Sequence, residues 1–488
     1  MKNILLLFST VLLLQANAQD CSCSSNFEWV KQTFEANDAG FSYALEIKGA
    51  EAYAQHNAVF SERVKSIQDP AECNQTLSEW LSFFRNGHIG IQPVYREAAS
   101  GGESGSGPTE DDIRAQFADW EKLEVDLKEF EQYLEEKEEV DFEGIWESPP
   151  YKIGIKKQGE EYLGFVIEAD GVYWTPGQIK LRISESGEET KAIYYMKDHS
   201  AEKFDEASIL GNTILQMGFV TLERLAPQLE SDPAVARYFR LLDAEAPFFE
   251  KVDAATALIR IPSFNGSNKP VIDSVIAANK ATILQTENLI IDLRNNGGGS
   301  DRSYSELIPL LYTNPIRTVG VEMYSTKMNN QRMLDFINNP EYGFSDEEKE
   351  WAQGMYDKLE AKLGGFVNLG DERVSVETQD TVYTYPKNVG VIINENNGST
   401  TEQFLLAAKQ STKVKLFGTT TAGVLDISNM YFLPSPCEEF QLAYSLSRSM
   451  RIPDMAIDDK GIQPDYYIAD DIPAYEWVAF VSKRLKGK

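Results

Sequence analysis

Histidine is scarce in this chain: His56, His88 and His199 are the only three among 488 residues. That leaves few candidates for a general base or a metal ligand. Cysteine is nearly as rare, at positions 21, 23, 73 and 437, and no histidine has ligand-like spacing to a cysteine pair. No metal and no cofactor is therefore assigned. Positive charge is in deficit, with 46 Lys and Arg against 76 Asp and Glu and a formal net charge of −30. So acidic a chain argues against nucleic acid or an anionic membrane surface as partner. No apolar run approaches the roughly 20 residues that a membrane-spanning helix needs, so no span is expected. Nucleotide loops are missing too: "NNGGG" (295–299) is not part of a G-x-G-x-x-G, and no Lys-Ser/Thr follows it.

What is present suits a folded protein of two or three domains, with 42% hydrophobic and 11% aromatic residues for its cores. Residues 1–18 carry one lysine, an apolar core from Ile4 to Leu14 and Ala16-Asn17-Ala18 as a cleavage site, the pattern of an export signal. The expected location is outside the cytoplasm, periplasmic or secreted. Asp20 before Cys21 lacks the small apolar residues that precede a lipidated cysteine, which argues against a lipid anchor. In such a compartment disulfides form, and Cys73 is expected to pair with Cys21 or Cys23.

The periodicity divides the remainder. Residues 19–97 read as a helical region, with Leu77, Trp80, Leu81 and Phe84 in steps of three and four, ending at "RNGHIGI" where His88 sits on a helix-to-strand turn. Residues 98–112, rich in Gly and Ser, read as a flexible linker. An acidic amphipathic helix is predicted over 113–143, with Phe117, Trp120, Leu123, Leu127, Phe130 and Leu134 on one face. Short alternating runs such as "YKIGIKK" and "QIKLRI" predict an antiparallel β module over 144–225. From 226 to 488 strands alternate with helices, which implies an α/β core with largely parallel pairing.

Two turns at strand ends carry candidate chemistry. "NNGGG" follows the buried run "LIIDL"; it serves either as a tight connection or as a place where backbone N–H groups approach a ligand. "NGSTTE" follows "VGVIIN", and "STTE" reads as a capping box in which Ser399 accepts from the Glu402 N–H. The same position also suits a nucleophile, because the Thr400 N–H at a helix start would stabilise an oxyanion. No G-x-S-x-G elbow is present, so an α/β-hydrolase reading has no support. A serine nucleophile needs a base. Lys409 and Lys413 lie too far along the following helix, His56 and His199 sit in polar surface-like text, and His88 lies in a glycine-flanked turn. The acids of "DDKGIQPDYYI" (458–468) read by composition alone as a surface turn.

Taken together, these stretches resemble the tail-specific, or C-terminal processing, serine peptidase family, in particular its tricorn-core-like branch. "LIIDLRNNGGGS" resembles the family's D-L-R-N-N-x-G-G turn, "NENNGSTTE" its N-E-x-x-x-S-x-x-E turn, "LFGTTTAG" its G-x-x-T-x-G turn, and "KGIQPD" its closing G-I-x-P-D. "RNGHIGI" resembles the tricorn-type D-G-H-T. The resemblance implies an α/β core of the Clp protease and crotonase type and makes Ser399 the nucleophile and His88 the general base. It implies an oxyanion hole from the Gly298 and Thr400 N–H groups, with Asp458 in the place of the Glu that orients the histidine. Three positions depart from the family: Val424 where the Ser-Lys branch has its lysine, Asp458 one methylene shorter than Glu, and Gly87 where tricorn has a serine. The family often carries a PDZ module; the 144–225 segment sits in its place but reads more like a small barrel. The expectation is an exported serine endopeptidase acting on peptide or protein substrates. The alternatives are an inactive relative that binds peptides or a partner, and an esterase using the same dyad.

Overall fold

The computed structural model describes residues 20–94, 109–187, 189–370, 372–469 and 471–487. The expected signal segment and residues 98–108 of the expected linker lie outside these. The linker's last residues do not continue as coil: Thr109 caps a helix, Glu110–Gln116, through a capping box with Asp112. The chain divides into two compact units, one of Met1–Glu97 with Ala246–Tyr467, the other of Ala98–Glu245 with Ile468–Lys488.

The first unit is built on a sheet of six strands. Thr256–Arg260, Asn288–Asp292, Asn388–Ile393 and Val414–Gly418 run parallel in that order, extended by Phe248–Lys251 antiparallel at one edge and Tyr466–Tyr467 at the other. The central strands are continuous apolar runs because both of their faces are covered. Leu289, Ile291, Val389 and Val391 pack with Ile272 and Ile276 of the helix Lys269–Ile283 and with Phe404 and Leu405 of the helix Thr400–Ala408. Parallel strands end at the same edge of a sheet, and Asp292 pairs with Ile392. The "NNGGG" and "NGSTTE" turns therefore emerge side by side, where α/β sheets place their ligands.

A second sheet brings in the N-terminal region. Four helices, Cys23–Asn37, Phe41–Lys48, Ala50–Arg63 and Pro70–Ser82, share a core of Phe27, Phe34, Trp80 and Phe84 with Leu442 and Tyr444 of the strand Phe440–Ser449. After them Gly90–Pro93 pairs antiparallel with that strand, Gly90 opposite Ala443. The same strand pairs on its other side with Ile427–Pro434. Two disulfides tie the layers together. Cys73 pairs with Cys23, and Cys21 pairs with Cys437, 416 residues away.

In the second unit nine strands between Gly144 and Ala226 form one antiparallel sheet, in which strands consecutive in sequence pair except Ala201–Phe204 with Ser208–Leu210, and the ninth, Val220–Ala226, returns to the first, Gly144–Ser148. The two ends of the sheet, Ala201–Phe204 and Ser208–Leu210, are consecutive in sequence, so the meander turns back on itself. Among the described residues no helix interrupts the nine strands, so a PDZ-type groove between a strand and a helix is not formed within them. The single helix expected over 113–143 is two, Glu110–Gln116 and Leu127–Glu135. Between them the Leu123 N–H donates to the Gly177 carbonyl, and the Ile179 N–H to that of Glu121, so the segment is held extended along the sheet. Asp126 then caps the second helix. The expected core of 226–488 is trimmed at both ends to Ala246–Tyr467. The helix Pro233–Leu242 packs Val235 against Gly211, and the turn Ala474–Glu476 packs against that helix. His199 is not surface-like: it is buried, stacked 3.8 Å from both Phe117 and Trp174.

A disulfide stabilises chiefly by restricting the unfolded chain. Replacing Cys23 and Cys73 by serine is expected to lower the stability of the helical layer by about 2–5 kcal/mol, read as a lower denaturant midpoint in the Trp80 fluorescence.

Candidate active site

Ser399 ends the Asn388–Ile393 strand turn and starts the helix Thr400–Ala408, with φ 55° and ψ −126°. This is a conformation that L-residues rarely adopt, at about 1–3 kcal/mol. The capping box expected from "STTE" is not made, since the Ser399 side chain caps nothing. Its hydroxyl instead lies 3.1 Å from His88 Nε2. The backbone holds the strain in place: the Ser399 N–H donates to the Val424 carbonyl and its carbonyl accepts from Gln403. Glu402, buried, binds the Thr421 hydroxyl at 2.5 Å and the Gly423 and Val424 N–H groups at 2.8 and 2.9 Å. Burial pushes the Glu402 pKa up while those bonds draw it down.

His88, also at positive φ (53°), is aimed from both ends. Its Nδ1 lies 2.8 Å from the Ile427 carbonyl. A carbonyl only accepts, so Nδ1 carries the proton and Nε2 presents its lone pair to the Ser399 hydroxyl. Behind the ring, Arg85 forms a buried two-pronged pair with Asp38 at 2.7 and 2.6 Å. The same guanidinium donates to the carbonyls of Gly87 and His88, and the Ser445 hydroxyl also donates to His88 O. Burial, helped by the Arg85 charge, lowers the His88 pKa and keeps the ring neutral.

Asp458 does not touch His88. Its Oδ1 accepts from the Leu425 and Asp426 N–H groups at 2.6 Å each and its Oδ2 from the Ile427 N–H at 3.0 Å. The shorter side chain thus grips the backbone whose next carbonyl orients the histidine. Asp426 returns the grip on the Ile457 and Asp458 N–H groups and is paired with Arg451 at 2.8 Å. Burial pushes the Asp458 pKa up to about 6, with Asp426 adding repulsion against the backbone bonds that lower it.

Gly298 lies directly against Ser399; a Cβ there would stand 2.8 Å from Ser399 Cβ and 2.9 Å from the Thr400 nitrogen. Its N–H, however, donates to Asn296 Oδ1 at 3.0 Å. Asn296 also accepts from the Thr401 hydroxyl, and the Thr400 hydroxyl donates to the Gly299 carbonyl, so the two turns are laced together. Asn397 extends the lacing with bonds to the carbonyls of Leu293 and Asn296.

Val424 and Gly87 depart from the resembled family together. A Cβ on Gly87 would meet Val424 Cγ1 at 2.4 Å, and one on Gly398 would meet Val424 Cγ2 at 2.6 Å. The valine fills the space between the histidine turn and the serine turn, leaving room for neither a lysine nor a residue larger than glycine. Lys409 Nζ donates to the Gln463 carbonyl, and the buried Lys413 Nζ meets no acceptor; neither contacts Ser399. The roles of Arg85, Asp38, Asp426 and the Ile427 carbonyl were not foreseen, although "ANDAG" and "RNGH" place Asp38 and Arg85 at glycine turns. Among the described residues no group of acidic, histidine or cysteine side chains could hold a metal ion.

The model of Peptidase family S41 matches residues 255–468, a span that holds the glycine turn, Ser399 and Asp458 but not His88. No curated protein matches the chain. Among solved structures, mature CPAF complexed with lactacystin is similar over 95% of this chain and 97% of that one, at 12% identity and a TM-score of 0.50. The photosystem II D1 C-terminal processing protease is similar over 95% and 97% at 11% identity and a TM-score of 0.38. Tricorn protease is similar over 95% of this chain and 36% of its own, at 11% identity and a TM-score of 0.40. At such identity the likeness to CPAF is one of fold.

Gly87→Ala is expected to drive the histidine turn off Val424 and lower kcat/KM by about 100-fold; adding Val424→Gly, which also removes the Cβ that would stand 2.7 Å away, restores most of it, and a double-mutant cycle measures the coupling. Asp458→Asn, which sets an amide N–H against the backbone donors, is expected to lower kcat about 10–100-fold with little change in KM, read by steady-state kinetics.

Proposed function

From the premise that residues 255–468 are a Peptidase family S41 domain, which makes the chain a serine-type peptidase, we propose an exported endopeptidase working through a Ser399–His88 dyad. The observation that carries this is the 3.1 Å contact between His88 Nε2 and the Ser399 hydroxyl. As Ser399 attacks a peptide carbonyl, its proton passes to Nε2, and the imidazolium is held by the Ile427 carbonyl through Nδ1–H. The proton then goes to the leaving amine, and water releases the acyl group by the reverse path. The core layout is taken to be that of the Clp protease and crotonase group. The export signal and two disulfides fit an oxidising compartment.

The oxyanion is assigned to the Thr400 N–H and a glycine-turn amide. With the Gly298 N–H engaged by Asn296, Gly299 supports the role better. Phe264 N–H donates to Gly298 O and Ser300 N–H to Phe264 O, so Gly299 faces the other side, where its carbonyl takes the Thr400 hydroxyl. Gly299, at φ 145°, thus lies against the serine turn and is the amide taken to meet the oxyanion beside the Thr400 N–H.

A fluorophosphonate probe is expected to label the wild type, to lose the label in Ser399→Ala, and to be slowed by about 10³-fold or more in His88→Ala. Unlabelled wild type overturns the mechanism, and ester turnover without peptide cleavage favours an esterase. Because burial lowers the His88 pKa, kcat/KM is expected to fall to half only at a pH below 6.5. A half-loss above pH 6.5 contradicts the neutral base.

A further inference from the structure

Asp301 follows the glycine turn by two residues and begins the short turn Asp301–Tyr304. Its backbone is fixed from both sides: the Ser300 N–H donates to the Phe264 carbonyl, and the Gly299 carbonyl is bound by the Thr400 hydroxyl, one residue past the nucleophile. The residue is exposed to solvent, and it forms no ion pair with any described residue. Its neighbour Arg302 pairs with Glu348, and the one cation whose charge reaches it, Arg451, is buried and held by Asp426 at 2.8 Å. A rigidly placed carboxylate without a cation thus stands on the segment that flanks Ser399 and Thr400.

We propose that Asp301 is a specificity-determining residue that selects a lysine or arginine side chain on the peptide next to the scissile bond. The inference rests on the Ser399–His88 reading. A peptide carbonyl poised on Ser399 puts its neighbouring side chains within a few ångströms of the turns that bound the nucleophile. The side chain meeting Asp301 gains a partner for its charge if basic and meets repulsion if acidic. Crowding by protein raises the Asp301 pKa, the Thr400 hydroxyl opposing, as fits a carboxylate whose cation comes only with the substrate. The net charge of −30 adds long-range attraction for cationic peptides.

The test uses fluorogenic peptides identical except for Arg, Leu or Glu on either side of the scissile bond, with fluorophosphonate labelling of Ser399 run in parallel. The wild type is expected to favour Arg over Glu in kcat/KM by about tenfold or more at one of the two positions. Asp301→Asn shrinks that ratio toward one, Asp301→Arg inverts it, and the ratio cancels any loss common to all peptides. Acidification weakens the Arg preference as the carboxylate protonates. A labelled wild type with equal Arg and Glu turnover, or the same ratio in Asp301→Asn and Asp301→Arg as in the wild type, overturns the role of Asp301 alone. An unlabelled wild type overturns the dyad and the inference with it.

Discussion

The hydrogen bond from His88 Nδ1 to the Ile427 carbonyl decides which ring nitrogen meets Ser399, and the proposed chemistry depends on that choice. A neutral carbonyl holds the imidazole tautomer and its plane as a carboxylate would, but gives the imidazolium less electrostatic support. The carbonyl is aimed by Asp458, whose two oxygens fix three consecutive amides, and Asp458 is in turn fixed by Asp426 and Arg451. The site therefore places its carboxylate one step back from the base. Asp426 is buried and Asp458 half-buried, and their mutual repulsion is offset by backbone donors and one guanidinium.

A second constraint is steric. The histidine comes from a turn 311 residues before the serine, so its placement depends on antiparallel pairing between Gly90–Pro93 and Phe440–Ser449 and on the Arg85–Asp38 pair beneath the turn. Val424 wedges between Gly87 and Gly398 and sets how closely the two turns approach. Interiors packed at this density transmit small displacements, so a methyl group at Gly87 acts on the His88–Ser399 contact without touching Ser399. Valine and glycine are complementary here, each explaining why the other is tolerated. The positive φ of Ser399 is sustained by the same contacts, through the Val424 carbonyl that takes its N–H.

Ser399, Thr400 and the glycine turn were legible because parallel strands must end at one edge, and buried strands followed by glycine announce themselves in sequence. His88 stood out through scarcity and flanking glycines. Asp458 was legible as a residue but not in its action, since whether a carboxylate reaches a ring or a backbone depends on one methylene. The Ile427 carbonyl has no signature at all, because every residue carries one. That the Gly298 N–H bonds Asn296, two residues earlier, has no mark in the sequence, because it depends on how the asparagine folds back. His199 looked exposed in its charged context, yet Phe117 and Trp174, distant in sequence, close over it. The 113–143 stretch kept helical spacing where Trp120 and Leu123 belong to an extended segment, since both conformations can bury the same apolar positions. The β module was easier, as period-two alternation admits few other readings.

With only three histidines, nitrogen NMR of protein labelled at the imidazole nitrogens resolves the central claim. At neutral pH the His88 ring, assigned by its loss in His88→Ala, is expected to show a protonated Nδ1 and an unprotonated Nε2. A ring protonated at Nε2, or a cationic ring at that pH, contradicts it, because neither can accept the Ser399 proton.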